Sequence, residues 1–252
     1  MIMIDIHIHI LPGMDDGSSN LDESLAMADL AVRGGVHTIV ATPHSNLTGL
    51  YRNYFNQHFY ENLQRFRRAL DRERIPLTVL SGMEIFTTDD VVLKMDQGML
   101  IPLNHSRYYL MEFDFQLDGD VMAERLWPVL ESGRIPVIAH PERYACIQYR
   151  PDMLYQFMKA GCLAQVNKGS LLGRFGSEVK RTADRLMEQG LVTCVASDAH
   201  ATNVRTPFMG EIQDYLEMDY GYETAKRLLY DNPLKILQDE EIEFRGERKY
   251  RS

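Results

Sequence analysis

Short apolar runs rich in β-branched residues alternate with amphipathic stretches along most of the chain. The runs predict seven strands, at Ile2–Ile8, Val36–Ala41, Leu77–Gly82, Tyr108–Phe113, Pro136–His140, Leu163–Asn167 and Val192–Ser197. Helices are predicted at Leu21–Arg33, Tyr54–Arg74, Asp89–Gln97, Asp120–Ser132, Asp152–Ala160, Gly176–Gln189, Phe208–Leu216, Tyr222–Tyr230 and Leu234–Gln238. Strands separated by helices are typical of βαβ units in a parallel sheet. Seven such units without a central linker favour one α/β barrel, a single domain over residues 1–252 with a polar tail from about residue 240.

The first predicted strand alternates polar and apolar side chains. Asp5, His7 and His9 alternate with four isoleucines between residues 4 and 10. We expect the isoleucines to pack against the surrounding helices and the polar set to face the barrel interior. An unpaired imidazole or carboxylate is costly in a dry interior, and a bound metal ion removes that cost. The His-x-His pattern alone favours a hydrogen-bonded pair of core histidines over a metal site.

More potential ligands lie at or just after the C-terminal ends of other predicted strands. They are Asp16 in DDG, His44 in VATPH, Glu84 in LSGME, Glu112 in YLMEF, His140 in PVIAH, and Asp198 and His200 in VASDAH. All strand C-termini of an α/β barrel share one rim, so these residues predict a metal site there. Imidazole and carboxylate donors without thiolate suit Mn²⁺, Fe²⁺ or Zn²⁺. These donor residues are too many for one ion. Their number fits two or three ions, as in the metal sites of enzymes that transfer phosphoryl groups.

Two arginines in the same predicted rim loops suit a phosphorylated substrate. Arg143 follows His140 in AHPERY, Arg205 follows His200, and guanidinium groups bind phosphate in a bidentate manner. Two other hydrolase chemistries are excluded. A Cys-x5-Arg phosphatase loop needs arginine at position 152, 168 or 200, and these hold Asp152, Lys168 and His200. No G-x-S-x-G elbow for a serine nucleophile is present.

Composition narrows the possible partners and the compartment. The formal net charge is -9 and no long Lys/Arg run occurs, so no nucleic-acid partner is expected. Cys146, Cys162 and Cys194 form no C-x-x-C pair, which favours a reducing cytoplasm over a disulfide framework. The N-terminus does not resemble a signal peptide, and no apolar run is long enough to predict membrane insertion.

Six motifs in a fixed order carry a family resemblance. DIHIHILPGMDDG, ATPH, GMEI, AHPERY, QVNKGSLLGRFG and ASDAH resemble the polymerase-and-histidinol-phosphatase (PHP) superfamily. They resemble most closely its CpsB/CapC-type tyrosine-protein phosphatases, which serve capsule and exopolysaccharide synthesis in Gram-positive bacteria. The resemblance extends over about residues 1 to 240. It implies a distorted TIM-like (β/α)7 barrel that holds three divalent metal ions, with manganese expected and iron or zinc as alternatives.

The resemblance also implies which residues hold each ion. The three ligand sets are His7, His9, Glu84 and Asp198; Glu84, Glu112 and His140; and Asp16, His44 and His200. Asp16 rather than its neighbour Asp15 matches the family ligand, which leaves Asp15 for a hydrogen-bonding role. Arg143 and Arg205 match the phosphate-binding arginines. We predict attack by a metal-bridging hydroxide on phosphorus, with the leaving tyrosine oxygen stabilised by metal or by a protonated donor, His44 or His200.

The expected substrate is phosphotyrosine in the C-terminal tail of a cognate bacterial tyrosine kinase that controls polysaccharide export. The alternative is a small-molecule phosphomonoesterase such as a histidinol-phosphate phosphatase, which needs a deeper pocket. A non-catalytic binding module is disfavoured by the intact ligand positions, and a nuclease by the lack of a basic groove. We expect Ser45–His58 to shape substrate access and Lys168 to be solvated rather than to contact phosphate. The oligomeric state is not predicted.

Overall fold

This computed structural model describes residues 1–244 and 246, and nine parallel strands lie among them. They are β1 (Met3–Ile8), β2 (Val36–Ala41), β3 (His44–Ser45), β4 (Thr78–Ser81), β5 (Glu84–Phe86), β6 (Tyr108–Glu112), β7 (Ile135–Ala139), β8 (Leu163–Asn167) and β9 (Cys194–Ala196). They form two sheets, of order β1-β2-β4 and β3-β5-β6-β7-β8-β9, in which every strand pair is parallel. The predicted α/β class with parallel strands is therefore confirmed.

Helices connect the strands and follow the last one. They are α1 (Leu21–Arg33), α2 (Gln57–Glu73), α3 (Val91–Asp96), α4 (Gly119–Glu131), α5 (Ala145–Tyr149), α6 (Asp152–Lys159), α7 (Lys168–Leu171), α8 (Ser177–Glu188), α9 (Gly210–Tyr220), α10 (Tyr222–Lys226) and α11 (Asn232–Leu237). Shorter 3-10 turns span Leu103–His105 and Pro141–Arg143, and a π-helical segment spans Arg227–Asp231. No helix of the described residues is both long and apolar enough to cross a membrane. The predicted polar tail lies mostly outside the described residues.

Several helix bounds differ from the prediction for local reasons. The bounds of α1 are as predicted, whereas α2 begins at Gln57 and not at Tyr54. The side chain of Asn56 accepts a hydrogen bond from Phe59 N at 3.0 Å and so caps the helix at that point. The helix predicted over Tyr222–Tyr230 is interrupted, because α10 passes into the π-helical segment. The short helices α5 and α7 were not predicted.

All seven predicted strands are present, but two of them break and continue in the second sheet. His44 and Glu84 follow β2 and β4 as predicted, and they also open the short strands β3 and β5, in which they lie opposite each other. Pro43, which has no N–H to donate, separates β2 from β3. Gly82 separates β4 from β5, where a Cβ atom would lie 2.6 Å from Val40 Cγ1. The two breaks place His44 and Glu84 in the second sheet.

The first strand and the segment after the last strand lie side by side. His9 N donates to Ala199 O at 2.9 Å, and Asp198 N donates to His7 O at 2.9 Å. Ile8 and Ala199 form a parallel bridge. These bonds hold the C-terminal ends of β1 and β9 together at the position of the predicted ligands. Full closure of one barrel stays a prediction.

Two clusters of buried apolar residues form the core. Ile8 belongs to the larger cluster, which contains buried apolar residues of the helices α1 to α10. The prediction that all the isoleucines of β1 pack against outer helices was wrong for Ile4 and Ile6. These two lie in a smaller cluster with buried residues of the other strands and with Ile236 and Leu237 of α11. The register of β1 against β2 shifts twice, so simple alternation does not hold along this strand.

The smaller cluster predicts a strong effect of truncating Ile6. Ile6 has no exposed surface, so Ile6→Ala should lower the free energy of unfolding by about 2–5 kcal/mol through lost burial and a cavity. Ile2→Ala is the control, because Ile2 is 56% exposed and should change it by less than about 0.5 kcal/mol. Urea unfolding in EDTA measures both values. Similar losses in the two variants would contradict this packing.

Candidate metal centre

The C-terminal ends of the parallel strands bring all nine predicted ligand side chains together. Their ligand atoms form three overlapping groups, each within 4.8 Å: His9, Asp16, His44 and His200; His7, His9 and Asp198; and His44, Glu84 and Glu112. His140 lies beside the third group, with Nε2 2.9 Å from Glu84 Oε1 and 3.7 Å from Glu112 Oε1. Asp5, the remaining polar residue of β1, accepts a hydrogen bond from Ser197 N and is outside the groups.

The overlap of the groups differs from the three separate sets that the resemblance implies. His9 belongs to two groups, and its ring centroid is 3.9 Å from that of His200. His44 Nδ1 lies 2.9 Å from Glu84 Oε2 and 3.5 Å from Glu112 Oε2. The geometry therefore shows one continuous cluster and does not divide the ligands among individual ions.

Four buried atoms of the predicted ligands form no hydrogen bond: Glu84 Oε2, His140 Nδ1, Asp198 Oδ1 and His200 Nε2. Two of them have a charged neighbour, since Glu84 Oε2 lies 2.9 Å from His44 Nδ1 and Asp198 Oδ1 lies 2.5 Å from Arg205 Nη2. Such atoms are costly to bury unless something satisfies them, and a cation does so for oxygen and imidazole nitrogen lone pairs. A mixed set of carboxylate and imidazole donors suits Mn²⁺, Fe²⁺ or Zn²⁺. The residues present fit divalent metal ions.

Opposite charges keep the buried carboxylates ionised. Burial acts to raise the pKa of Glu84, but His7 and His44 hold it well below its ordinary range. Burial likewise opposes ionisation of Asp198, and His7, His9 and Arg205 outweigh it, so its pKa is also well below the ordinary range. For His44, the attraction of Glu84 overcomes burial and raises the pKa to about 10. The cluster thus attracts positive charge.

His200 differs from the other histidines of the cluster. Burial, together with the charge of His9, lowers the pKa of His200 to about 2. Its Nδ1 lies 3.1 Å from Asp198 O, while Nε2 is free of hydrogen bonds. The neutral imidazole is the form that binds metal ions, so His200 is prepared for ligation without losing a proton.

Asp15 has a positioning role beside the candidate ligand Asp16. Its Oδ2 lies 2.7 Å from His9 Nδ1 and accepts from His44 N at 2.8 Å, and its Oδ1 accepts from Gly17 N at 2.9 Å. Burial opposes its charge, but the attraction of His9 lowers the pKa of Asp15 to about 2. Gly17 allows this turn, because a Cβ atom there would lie 2.2 Å from His9 O.

Two buried carboxamides of β8 contact the predicted ligands and were not anticipated. Gln165 Oε1 lies 2.7 Å from His7 Nδ1, and Asn167 Nδ2 donates to Asp198 Oδ2 at 2.6 Å. The sequence contained a signal for them, since Gln165 and Asn167 flank Val166 with the period of two that marks one strand face. The prediction of polar residues from this alternation covered the first strand alone.

Glu142 is a further buried polar residue that was missed. Its Oε1 accepts from Ser170 Oγ at 2.5 Å and from Asn167 N at 3.0 Å. Burial raises the pKa of the Glu142 carboxyl group. Glu142 lies in the 3-10 turn with Arg143, so these bonds attach the turn to the end of β8. Glu142 lies in the AHPERY motif, but its role depends on contacts with Asn167 and Ser170, which are distant in sequence.

The two predicted phosphate-binding arginines converge on Asp198. Arg205 Nη2 lies 2.5 Å from Asp198 Oδ1, and Arg143 Nη1 lies 3.7 Å from Asp198 Oδ2. The guanidinium of Arg143 lies 4.3 Å from the ring centroid of Phe115 and 4.9 Å from that of Phe175, and Arg205 lies 6.0 Å from Phe175. Phe175, which the sequence did not single out, thus supports both guanidinium groups.

Lys168 is buried, so the prediction that it is solvated was wrong. It is 2% exposed, and its Nζ donates to Phe208 O at 2.5 Å. Burial lowers the pKa of the Lys168 amine to about 8. The cause is local, because α7 begins directly after β8 and turns this side chain into the protein. The contact fixes the end of the loop that carries Arg205.

The segment Ser45–His58 begins beside the cluster. The ring of Tyr51 stacks on that of His44 with centroids 5.9 Å apart and planes 11° from parallel. Asn53 Nδ2 donates to His44 O at 2.8 Å and to Met14 O at 2.6 Å, which ties the segment to the turn that contains Asp16. A role in substrate access stays a prediction.

Sequence comparison relates the chain to one family. The family profile described as "Capsular polysaccharide synthesis, CpsB/CapC" matches residues 3–238. Tyrosine-protein phosphatase YwqE of Bacillus subtilis is 39% identical over 240 residues, which cover 95% of this chain and 93% of YwqE. Tyrosine-protein phosphatase CpsB of Streptococcus pneumoniae is 34% identical over 245 residues, which cover 95% of this chain and all of CpsB.

Structural comparison agrees with the sequence relationship. A crystal structure from work on YwqE and CpsB, described there as unique metal-dependent tyrosine phosphatases, matches with a TM-score of 0.91 and 37% identity. The match covers 99% of this chain and 100% of that one. The Escherichia coli phosphotriesterase homology protein matches with a TM-score of 0.58 over 94% of this chain and 98% of that one, at 12% identity. This second match shows the fold alone.

The contacts of Asp15 predict a pH-dependent stability effect of Asp15→Asn. The folded-state pKa of Asp15, about 2, is below its ordinary 3.8, so its charge stabilises the fold above pH 3.8 and this contribution is lost as the pH falls toward 2. We expect the metal-free variant to lose roughly 2 kcal/mol at pH 6 and less as the solution is acidified.

Urea unfolding of the metal-free chains over a pH series measures this difference. Asp29→Asn is the control, because Asp29 is exposed and its ion pair with Arg33 is 3.8 Å long. That change should cost less than about 0.5 kcal/mol at every pH. A loss in Asp15→Asn that does not shrink on acidification would contradict the assignment.

Proposed function

The chain belongs to the CpsB/CapC family of capsular polysaccharide synthesis proteins, and we propose that it is a metal-dependent tyrosine-protein phosphatase. One observation of the structure carries this proposal: the cluster of buried histidines and carboxylates lies directly against Arg143 and Arg205. Such a cluster places sites for cations and for a phosphate group next to each other. The names of the related proteins favour phosphotyrosine over a small phosphomonoester as the substrate.

We propose that the cluster holds three divalent ions, with manganese as the expected metal and iron or zinc as alternatives. The proposed sets are His7, His9, Glu84 and Asp198; Glu84, Glu112 and His140; and Asp16, His44 and His200. When bound, such ions activate water and neutralise charge on the phosphate. We also propose that the two sheets belong to one distorted seven-stranded barrel in a single domain, with the ligands on its rim.

Arg143 and Arg205 are proposed to bind the non-bridging oxygens of the phosphate. A guanidinium group offers paired N–H donors that match two such oxygens. Asp198 and Phe175 already hold both groups beside the cluster, so little reorientation is needed when the phosphate arrives. The leaving tyrosine oxygen would be stabilised by a bound cation or would take its proton from His44, whose pKa is raised to about 10 by Glu84 despite its burial. His200 does not serve as the donor, because its pKa of about 2 leaves Nε2 unprotonated.

We propose phosphotyrosine in the C-terminal tail of a bacterial tyrosine kinase as the physiological substrate. The family description, capsular polysaccharide synthesis, supports a role in the control of polysaccharide export. A cytoplasmic location is proposed with it, and the three free cysteines suit a reducing compartment. Neither a nucleic-acid partner nor membrane insertion is part of the proposal.

Hydrolysis of a phosphotyrosine peptide tests the proposed function. We expect turnover with Mn²⁺, loss of turnover in EDTA, and its return when Mn²⁺ is added back, because the cluster needs cations to satisfy its buried oxygens. Phosphoserine peptide and histidinol phosphate are the comparison substrates. No hydrolysis of the phosphotyrosine peptide in full metal, with rapid hydrolysis of histidinol phosphate, would contradict the proposal and favour the small-molecule alternative.

Two substitutions separate metal binding from phosphate binding. His140→Ala should lower both metal content and activity, because its Nε2 contacts Glu84 within the cluster. Arg143→Ala should keep the metal content of the unaltered protein and lower kcat/KM roughly 10- to 100-fold, the effect of losing hydrogen bonds to a charged group.

Metal analysis of the purified proteins and peptide kinetics measure the two effects. Arg181→Ala is the matched control, since Arg181 is an exposed arginine of α8 paired with Glu178. It should change neither quantity. Equal metal loss in His140→Ala and Arg143→Ala would contradict the proposed division of roles.

A further inference from the structure

β8 lies between two strands that lead into predicted ligands, yet it carries none itself. Its neighbours β7 and β9 are followed by His140 and Asp198, whereas the polar residues of β8 are the carboxamides Gln165 and Asn167. Both carboxamides have no solvent exposure. A fully buried carboxamide must find partners for its oxygen and its nitrogen within the protein. The partners of Gln165 and Asn167 therefore indicate what they do.

The two carboxamides form a continuous hydrogen-bonded chain from His7 to Asp198. Gln165 Oε1 lies 2.7 Å from His7 Nδ1, and Gln165 Nε2 donates to Asn167 Oδ1 at 2.8 Å. Asn167 Nδ2 then donates to Asp198 Oδ2 at 2.6 Å. Because an amide oxygen can only accept, His7 Nδ1 is the donor in the first bond. Each bond in the chain thus has a defined direction.

This direction determines which atoms of the two ligands face the cluster. With its proton on Nδ1, neutral His7 presents the lone pair of Nε2 to the cluster, where Nε2 lies 3.2 Å from His9 Nε2 and 3.2 Å from Glu84 Oε1. Asn167 occupies Oδ2 of Asp198, and the other oxygen, Oδ1, lies 2.5 Å from Arg205 Nη2 and 3.4 Å from His7 Nε2. The carboxamide chain therefore leaves His7 Nε2 and Asp198 Oδ1 as the atoms that face the other residues of the cluster.

We propose that Gln165 and Asn167 are positioning residues of the metal centre, which fix the tautomer of His7 and the orientation of Asp198. The inference rests on the proposed metal-dependent function and adds two residues that are not ligands. Hydrogen bonds of this kind raise the basicity of a ligating imidazole and hold its ring in place, so metal affinity depends on them. Because the chain joins two ligands, the loss of one carboxamide should also loosen the other.

The effect of the Asn167 side chain on metal binding can be separated from the effect of the Asn167 backbone N–H. Asn167 N donates to Glu142 Oε1 at 3.0 Å and so attaches the turn that contains Arg143 to β8. Substituting the Asn167 side chain leaves this backbone bond in place. A change in metal affinity can therefore be assigned to the carboxamide rather than to displacement of the turn.

Four variants test the proposal. Gln165→Met and Asn167→Leu replace each carboxamide by an apolar side chain of similar size, and a double variant combines them. Gln165→Glu separates the two ends of the chain, because a carboxylate still accepts from His7 Nδ1 but cannot donate to Asn167 Oδ1. Asn232→Leu is the matched control, since Asn232 Nδ2 donates to Thr193 O at 2.7 Å outside the cluster. Loss of this hydrogen bond should lower the free energy of unfolding without altering metal binding.

Metal-free proteins are titrated with Mn²⁺ by calorimetry and with Co²⁺ by visible absorption, which reports the geometry of the ligands. We expect Gln165→Met and Asn167→Leu each to bind metal about 10- to 100-fold more weakly and to alter the Co²⁺ spectrum. Gln165→Glu should bind metal more tightly than Gln165→Met and more weakly than the unaltered protein, because it keeps only the bond to His7 Nδ1. The double variant should bind no more weakly than the weaker single variant, because either change breaks the same chain.

Two results would overturn the inference and are distinguishable. Unchanged affinity and spectrum in Gln165→Met, with metal-dependent peptide hydrolysis by the unaltered protein, would remove the positioning role and leave the proposed function standing. Absence of both metal binding and peptide hydrolysis in the unaltered protein would remove the proposed function and this inference together.

Discussion

Two ionised carboxylates, Glu84 and Asp198, lie at the centre of the molecule with almost no exposure to solvent. Removing such charges from water costs several kcal/mol each unless opposite charges and hydrogen bonds surround them. The observed surroundings meet that demand from many elements at once: imidazoles from β1 and β3, an arginine from the loop after β9, and an amide from β8. The meeting of parallel strand ends at one edge is what allows so many elements to contribute. Divalent cations would complete the compensation at the oxygens that remain unpaired.

The sequence predicted the parts of this arrangement that depend on local pattern. Strand positions follow from apolar periodicity, and the bounds of α1 follow from its cap at Asn20 and from the glycines after Arg33. The ligand candidates were recognisable because they stand at strand ends. Backbone geometry at the site left no such trace: His140, Asp198 and Arg205 adopt positive φ angles of 37°, 50° and 51°. Contacts distant in sequence hold two of these backbone positions, because His140 N donates to Gln165 O and Asp198 N donates to His7 O.

Asp198 contacts both the candidate metal ligands and the two arginines that are proposed to bind phosphate. The same carboxylate faces His7 and His9, accepts from Asn167, and lies against both arginines. A substitution that changes the interaction of one neighbour with Asp198 therefore also changes the interactions of the others. The effects of substitutions at these positions should be non-additive. Phe175 adds an apolar support beneath the two guanidinium groups, so their position depends on packing as well as on charge. The proposed metal site and the proposed phosphate site therefore share one physical support rather than two adjacent ones.

The bridge between Ile8 and Ala199 joins segments that lie at opposite ends of the chain. During synthesis from the N-terminus, His7 and His9 leave the ribosome long before Asp198 and His200 exist. A nascent chain therefore presents imidazoles without the carboxylate that later faces them, and the complete cluster forms only after β9 has been made. Any truncation before that strand, by premature termination or by a protease, yields a fragment with exposed ligands and an incomplete site. The complete set of candidate ligands is thereby tied to synthesis of the chain as far as His200.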